Sequence, residues 1–291
     1  MSSKITIIGA GSVGSTIAYT LAHDEIASEI VLIDINKEKV EGEVMDIEQG
    51  TCFRSPVSLT AGDYADAKDS DIVIITSGIA RKPGQTRIEL TQTNVNILKS
   101  ITPQIVKEAP NAKYIIVSNP VDIMTRITCT LSGFNPRRVL GSGTALDTAR
   151  LRYLLGEYFS VDPRNMHAYV IGEHGDSEFV PWSQAMMATK PILSICEETG
   201  SCQYADLENI AAEVRGAAQQ IIKAKRATYY GIGMALVRIT KAIFGNENSV
   251  LTVSAMLRGE YGENGVYVGV PCIVNRNGVR KVLTLPLKED E

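Results

Sequence analysis

Long apolar runs are missing from this sequence: no stretch of its 291 residues approaches the ~18 consecutive apolar positions a bilayer-spanning helix needs. A basic excess is missing too. Lys and Arg number 29 against 33 Asp and Glu, a net charge of -4, which argues against a general nucleic-acid binder, since that role requires a cationic face for phosphates. The opening MSSKITIIGAGSVG enters a strand-like run without the charged and then apolar regions of a signal peptide, so a cytoplasmic protein is expected. Cysteine is sparse: Cys52, Cys129, Cys196, Cys202 and Cys272 are scattered, odd in number and free of any C-x-x-C pair. Reduced thiols are therefore expected, with neither a disulfide frame nor a metal site. No Pro/Ser linker, internal repeat or low-complexity tract divides the chain, which points to one compact unit with a cleft. What remains, 44% hydrophobic and 21% charged residues, is ordinary for a globular enzyme.

The first half alternates short apolar runs with helical stretches. Strands are expected at Ile5–Ile8, Ile30–Ile33, Val57–Leu59, Ile72–Thr76, Tyr114–Val117 and Val139–Leu140, and helices at Ser12–His23, Lys37–Gln49, Leu90–Lys107 and Val121–Leu131. Unbroken Ile/Val runs mean strands buried on both faces, and β-α-β alternation means a parallel sheet covered by helices. The fold class is α/β, with a doubly wound Rossmann-type parallel sheet over residues 1–142. After about residue 142 the rhythm changes, and residues 143–291 read as an α+β substrate domain with antiparallel strands. Helices are expected there at Ala145–Phe159, Tyr204–Ala224 and Tyr229–Phe244. Strands are expected at Ala168–Ile171, Val250–Leu257, Val266–Val274 and Lys281–Thr284, bounded by turns such as Asn264-Gly265 and Asn277-Gly278.

Gly9-Ala10-Gly11-Ser12-Val13-Gly14 is a G-x-G-x-x-G that follows a strand and opens a helix. Gly9, Gly11 and Gly14 allow a tight turn and a close backbone approach to a pyrophosphate, which would rest on the amides of Ser12 and Val13 at the helix N-terminus. The hexapeptide alone could be a structural turn, but Asp34 ends the second strand twenty residues after Gly14. A carboxylate there can accept both ribose hydroxyls and would repel an additional phosphate, so NAD is expected rather than NADP. The alternative for Asp34 is a helix N-cap.

Histidine is scarce as well: only His23, His167 and His174 occur, which shortens the search for a group that exchanges protons near neutral pH. His23, late in the first helix, reads as surface. His174 lies between glycines in Gly172-Glu173-His174-Gly175-Asp176-Ser177, as suits a side chain held at a cleft. Together with this segment, GAGSVG, SNPVD (Ser118–Asp122) and LDTARLR (Leu146–Arg152) resemble the lactate/malate dehydrogenase superfamily, from Lys4 to about Leu287. Within it the body is most similar to bacterial L-lactate dehydrogenases.

The resemblance implies hydride transfer between NAD(H) and a small 2-oxo/2-hydroxy acid of L configuration. His174 would give and take the proton, and Asp147 would hold its other ring nitrogen. Arg150, one turn along the same helix face, would grip the substrate carboxylate bidentately. Asn119 would bond the substrate oxygen near the nicotinamide. Gly78–Arg87 resembles the family's mobile lid, which would bring Arg87 over the reacting carbonyl. No metal is implied. Without the resemblance, Asp147–Arg150 would read as a surface ion pair and Asn119-Pro120 as a strand-ending turn.

The family chooses its acid with the lid residue six positions before the catalytic arginine, glutamine accompanying pyruvate and arginine oxaloacetate. Here that residue is Arg81. An arginine closing over pyruvate's methyl would be desolvated without a partner, a penalty of roughly 3–5 kcal/mol. Thr228 pulls the other way, being the residue lactate dehydrogenases tend to have beside the substrate. Arg152 and His167 also match positions where bacterial lactate dehydrogenases bind fructose 1,6-bisphosphate across a subunit interface; His167 could equally be an ordinary histidine leading into a strand. On magnitude the charged residue prevails: L-malate/oxaloacetate is the first expectation and L-lactate/pyruvate the alternative.

Rival readings are weaker. Tyr64-Ala65-Asp66-Ala67-Lys68 fits the Tyr-x-x-x-Lys pair of short-chain dehydrogenases, but lies too early to face the nicotinamide. A non-catalytic NAD sensor would need neither His174 and Asp147 nor the arginines. A purely structural oligomer has only the amphipathic helices in its favour; the resemblance implies a homotetramer or homodimer. The sequence stops at Leu287–Glu291, where the family usually begins a final helix. Either it is truncated before that helix, or the enzyme lacks it.

Overall fold

The computed structural model describes residues 3–79, 86–200 and 202–291, the side chain of Arg87 excepted. The expected Ile/Val runs form β1 (Lys4–Ile8), β2 (Glu29–Ile33), β3 (Ser58–Ala61), β4 (Ile72–Ile75), β5 (Lys113–Ile116) and β6 (Val139–Gly141). All are parallel in the order β3-β2-β1-β4-β5-β6. Ile5 pairs with Ile30 on one side and Ile72 on the other. Between β1 and β4 the winding reverses, and at such a switch point a crevice opens beyond the strands' carboxyl ends.

Alternate side chains explain the layers. Ile5, Ile7, Ile30, Leu32, Ile72 and Ile74 face one way, against α1 (Ser12–His23) and α2 (Lys37–Thr51). Ile8, Val31, Ile33, Val73 and Ile75 face the other, against α3 (Arg87–Glu108) and α4 (Val121–Ser132). Each of these side chains is essentially dry, so truncating one Ile to Ala costs ~2–5 kcal/mol. The one buried hydroxyl in β1, Thr6 Oγ1, is satisfied by Ser70 Oγ at 2.8 Å.

The second half builds α5 (Ala145–Phe159), β7 (Met166–His167), β8 (Met186–Met187), β9 (Lys190–Pro191), α6 (Ile192–Thr199), α7 (Tyr204–Lys225) and α8 (Tyr230–Phe244). The chain then forms β10 (Ser249–Arg258), β11 (Asn264–Asn275) and β12 (Gly278–Val282). These last strands are antiparallel, as expected, but they do not form a sheet of their own. β10 pairs with β6 through Ser254 and Gly141, so the parallel sheet continues into β10-β11-β12. A separate small sheet, β7-β8-β9, packs beside α5 and α7 over a third core that includes Leu151, Met166, Trp182 and Val214.

Several expectations are corrected. Ala168–Ile171 is not a strand: pairing precedes it at Met166–His167, and only Ile171 bridges, to Phe179. Thr144 and Thr148 both engage the Val170 backbone, replacing a ladder there. Asn264-Gly265 lies inside β11, where Asn264 pairs with Arg258, and the turn falls at Glu260–Gly262 instead. Helix α6 went unread, because eight residues are too few for a firm period. Cys196 and Cys202 are not free thiols but a disulfide, brought together by the end of α6 with a Cα separation of 4.6 Å. Cys52, Cys129 and Cys272 are free. Tyr64–Ala67 is a short 3-10 turn between β3 and β4, where a loop was expected.

Candidate active site

Two groups of side chains meet the crevice. The first stands at the ends of β1 and β2. Gly9 has φ of +112°, a left-handed backbone that favours glycine. A Cβ on Gly14 would lie 1.8 Å from the Gly9 carbonyl oxygen, so only hydrogen fits there. Gly11 is the N-cap of α1, and no side chain caps that end. The first amides of the helix, from Ser12 and Val13 onward, therefore stay available to an anion. Asp34 Oδ2 accepts from the Ala10 amide at 2.7 Å and Oδ1 from the Asn36 amide at 3.1 Å. Asn36, not Asp34, caps α2, by accepting from Lys39. Asp34 is thus fixed at the rim of a cavity of about 550 Å³, lined also by Gly9, Gly11, Tyr64, Thr76 and Ile97. A glycine turn that excludes a Cβ, an open helix end and a braced carboxylate in one cavity fit a dinucleotide.

The second group centres on Asp147, in the first turn of α5. Its side chain is 2% exposed. Oδ2 accepts from His174 Nδ1 at 2.6 Å, and Oδ1 accepts from Arg150 Nη1 at 2.9 Å. One carboxylate therefore orients both the imidazole and the guanidinium. Among the described residues His174 Nε2 has no partner, nor does the rest of the Arg150 fork. Burial opposes charge on both members of the Asp147–His174 pair. Their mutual hydrogen bond and attraction nevertheless win, holding His174 above its ordinary value and Asp147 below the usual carboxylate range.

The loop carrying His174 is clamped at its base. Ile171 and Phe179 exchange backbone hydrogen bonds of 2.9 and 3.0 Å, and Gly172 and Gly269 of β11 exchange bonds of 2.9 and 2.8 Å. Buried Asp122 of α4 accepts from the His174 amide at 3.0 Å and from Ser254 Oγ at 2.5 Å. Burial raises the Asp122 pKa. Sequence reading passed over Asp122 as a site residue because its partners lie 52 and 132 positions away. It also passed over Glu178, 4% exposed, whose carboxylate lies 3.9 Å from His174 Nδ1. Asp147, His174 and Glu178 are ligand-type groups whose atoms lie within 4.8 Å of one another. Both Asp147 oxygens are already engaged, Oδ2 by His174 and Oδ1 by Arg150.

Asn119 is exposed beyond β5, before a cis Asn119-Pro120 bond. Its carbonyl accepts from Asn94 Nδ2 at 2.8 Å, and Asn94 Oδ1 accepts from the Ile79 amide at 2.9 Å. Buried Asn94 thus ties Ile79 to the Asn119 turn, a link no local motif announces. Of Gly78–Arg87, Gly78, Ile79, Thr86 and the backbone of Arg87 are described; Arg81 and the Arg87 side chain lie outside the described residues. Thr228 is half-buried in the turn before α8. A Cβ on Gly231, three residues further on, would lie 2.9 Å from Leu146, the neighbour of Asp147, so this turn sits near the start of α5. Arg152 points elsewhere. It donates through Nε to the Ala168 carbonyl at 3.0 Å, with its guanidinium 4.9 Å from the centre of the Tyr169 ring, near exposed His167. His23 is on the surface, as read, beside Asp24 and Arg54.

A dinucleotide turn and, in the same chain, a carboxylate-braced histidine and arginine define a class: NAD-dependent dehydrogenases that act on a CH–OH group. Residues 3–141 match the NAD-binding domain of lactate/malate dehydrogenase, and residues 144–291 its alpha/beta C-terminal domain. The chain belongs to the lactate/malate dehydrogenase family. It is 50% identical to L-lactate dehydrogenase 1 of Clostridium acetobutylicum, over 99% of this chain and 92% of that one. It is also 50% identical to an L-lactate dehydrogenase of a Geobacillus species, covering 99% and 91%. The crystal structure of the minor L-lactate dehydrogenase of Enterococcus mundtii in its ligand-bound form superposes with a TM-score of 0.97 at 44% identity, covering 99% of this chain and 92% of that one. A lactate dehydrogenase from a deep-sea metagenome of the Medee basin gives 0.96 at 46%, covering 99% and 93%. These relatives favour lactate over the malate preference first expected from Arg81.

Proposed function

We propose that this chain interconverts pyruvate and L-lactate with His174 as proton carrier. The relatives that are 50% identical support lactate as the acid, and the observation that carries the chemistry is the single Asp147 carboxylate bonded to both His174 and Arg150. Bound NADH supplies the hydride. Arg150, anchored through one nitrogen, offers its remaining donors to the substrate carboxylate, fixing which carbon faces the nicotinamide. His174 donates from Nε2 to the carbonyl oxygen as charge builds there, while Asp147 on Nδ1 keeps the ring oriented. Asn119 adds a donor to the same oxygen, and Arg87 is assigned the oxyanion from the lid. In the reverse direction neutral His174 takes the hydroxyl proton. Reduction therefore falls away as pH rises through the raised His174 pKa, and oxidation grows.

Arg81 supports a second reading, L-malate/oxaloacetate, in which the extra substrate carboxylate pairs with it. NADH oxidation with pyruvate and with oxaloacetate, in the wild type and in Arg81→Gln, separates the two. Faster turnover of pyruvate by the wild type supports lactate. A preference for oxaloacetate that collapses in Arg81→Gln shows that one lid charge outweighs the lactate-like body. Repeating both assays with fructose 1,6-bisphosphate tests the effector role proposed for Arg152 and His167. Exposed Tyr19, Met45, Tyr230 and Met234 give apolar surface for a second copy, and sedimentation of the active enzyme tests a dimer or tetramer.

A further inference from the structure

Two acids face the same nitrogen of His174. Asp147 takes the hydrogen bond, and Glu178 stands behind it at 3.9 Å, beyond bonding length, with its side chain 4% exposed. We infer that Glu178 is a positioning residue for the proton carrier, its carboxylate setting how tightly His174 holds the proton it gives to substrate. This rests on the assignment of His174 as acid and base.

The surroundings leave Glu178 few other partners. Arg215 of α7 donates to the Glu178 backbone carbonyl at 3.3 Å. Arg150 of α5 is bonded to Asp147. Among the described residues, the charged groups that act on Glu178 are Asp147, His174, Arg150 and Arg215, and those acting on His174 are Asp147, Glu178 and Asp122 of α4. Burial, reinforced by the Asp147 charge, pushes Glu178 up to about 7. It therefore changes charge near neutral pH, beside a His174 held above its ordinary value. When Glu178 is ionised, it favours the imidazolium; when it is neutral, that support is gone. Glu178 thereby extends the pH range over which His174 stays charged for reduction, without touching the substrate. A hydrogen-bonded acid alone would orient the ring, whereas a second acid at 3.9 Å adds charge that switches with pH.

The test compares Glu178→Gln, which keeps the shape and removes the charge, with Glu178→Asp, which keeps the charge. The readouts are kcat/KM for pyruvate reduction against pH, and the titration of His174 followed by NMR in a chain with only three histidines, assigned with His174→Asn. In Glu178→Gln both midpoints are expected to fall by about one pH unit, a tenfold smaller protonated fraction at alkaline pH. Glu178→Asp keeps both close to wild type. A uniform loss of rate with neither midpoint moved would overturn the inference and leave Glu178 a packing residue. Should Glu178→Gln not fold, the wild type decides: a His174 NMR titration with a second step coinciding with titration of the Glu178 carboxyl upholds the charge-based role, and a single step refutes it. A shift of the NMR midpoint without a shift in the rate profile upholds the coupling, and places the failure in the assignment of His174 as proton carrier.

Discussion

Asp147→Asn is the sharpest single perturbation of the site. The carboxylate presents two acceptors to two donors, His174 Nδ1 at 2.6 Å and Arg150 Nη1 at 2.9 Å. Asparagine presents one acceptor and one NH2 group. Arginine can only donate, so either it or the protonated imidazole must face another donor. A hydrogen bond to a charged group contributes ~1.5–3 kcal/mol, and leaving a buried partner unmatched costs ~1–3 kcal/mol more. Together these come to ~3–6 kcal/mol, or about two to four decades in kcat for pyruvate reduction if most of it falls on the imidazolium. The variant also loses the hydrogen bond and charge that outweigh burial at His174, so the pH at which reduction declines moves down. Stability changes too, in a definite direction. Asp147 is held below its ordinary value of 3.8, so its contribution is present above that value and lost as pH falls through the folded-state pKa. The assay is stopped-flow NADH oxidation from pH 5 to 9, with thermal unfolding to confirm that the variant folds. A folded variant within a factor of ~3 of wild type, its midpoint unmoved, would refute the assignment of Asp147 as the group behind His174.

The other expectations follow from the same geometry. Gly14→Ala places a Cβ 1.8 Å from the Gly9 carbonyl oxygen, so NADH binding measured by fluorescence should weaken at least ~100-fold, and near-normal affinity would mean the turn is not the pyrophosphate seat. Asp34→Ser removes the rim carboxylate; KM for NADH should rise ~10-fold and NADPH should become the more competitive cofactor, whereas an unchanged ratio excludes Asp34 from ribose recognition. Glu178 binds its proton more tightly folded than unfolded, from 4.5 up to about 7, so the wild type loses stability as pH rises across that range. Glu178→Gln should therefore gain up to ~3 kcal/mol over wild type above that range and little near pH 5, read by chemical denaturation at both pH values.

What could be read from the sequence follows the range of the interactions. β1 to β6 and their helices were legible because each is fixed by neighbours in the chain: Ile5, Ile7, Ile72 and Ile74 are apolar on schedule, and Ser12–His23 and Ala145–Phe159 form with the bounds read for them. The Asp147–Arg150 pair was legible for the same reason, being one helical turn apart. Short elements were not: Met166–His167 and Met186–Met187 are strands only because each pairs with the other, and no two-residue run carries a period. Scattered Cys196 and Cys202 gave no motif, and their pairing depends on how α6 ends. The site divides in the same way. His174 stood out by scarcity and its glycine-flanked segment. Its partners had no such signal, because Asp122 reaches it across 52 positions and Asp122 reaches Ser254 across 132. Glu178 is the instructive case. It lies only four residues beyond His174, and in the sequence it looks like one more acid after a run of polar residues. Only the clamp that joins Ile171 to Phe179 turns the loop inward and buries that acid beside the imidazole. What buries that acid is an isolated backbone bridge, supported by a second from Gly172 to Gly269 on β11, and bridges between segments far apart in the chain are the part of a fold that local pattern encodes least.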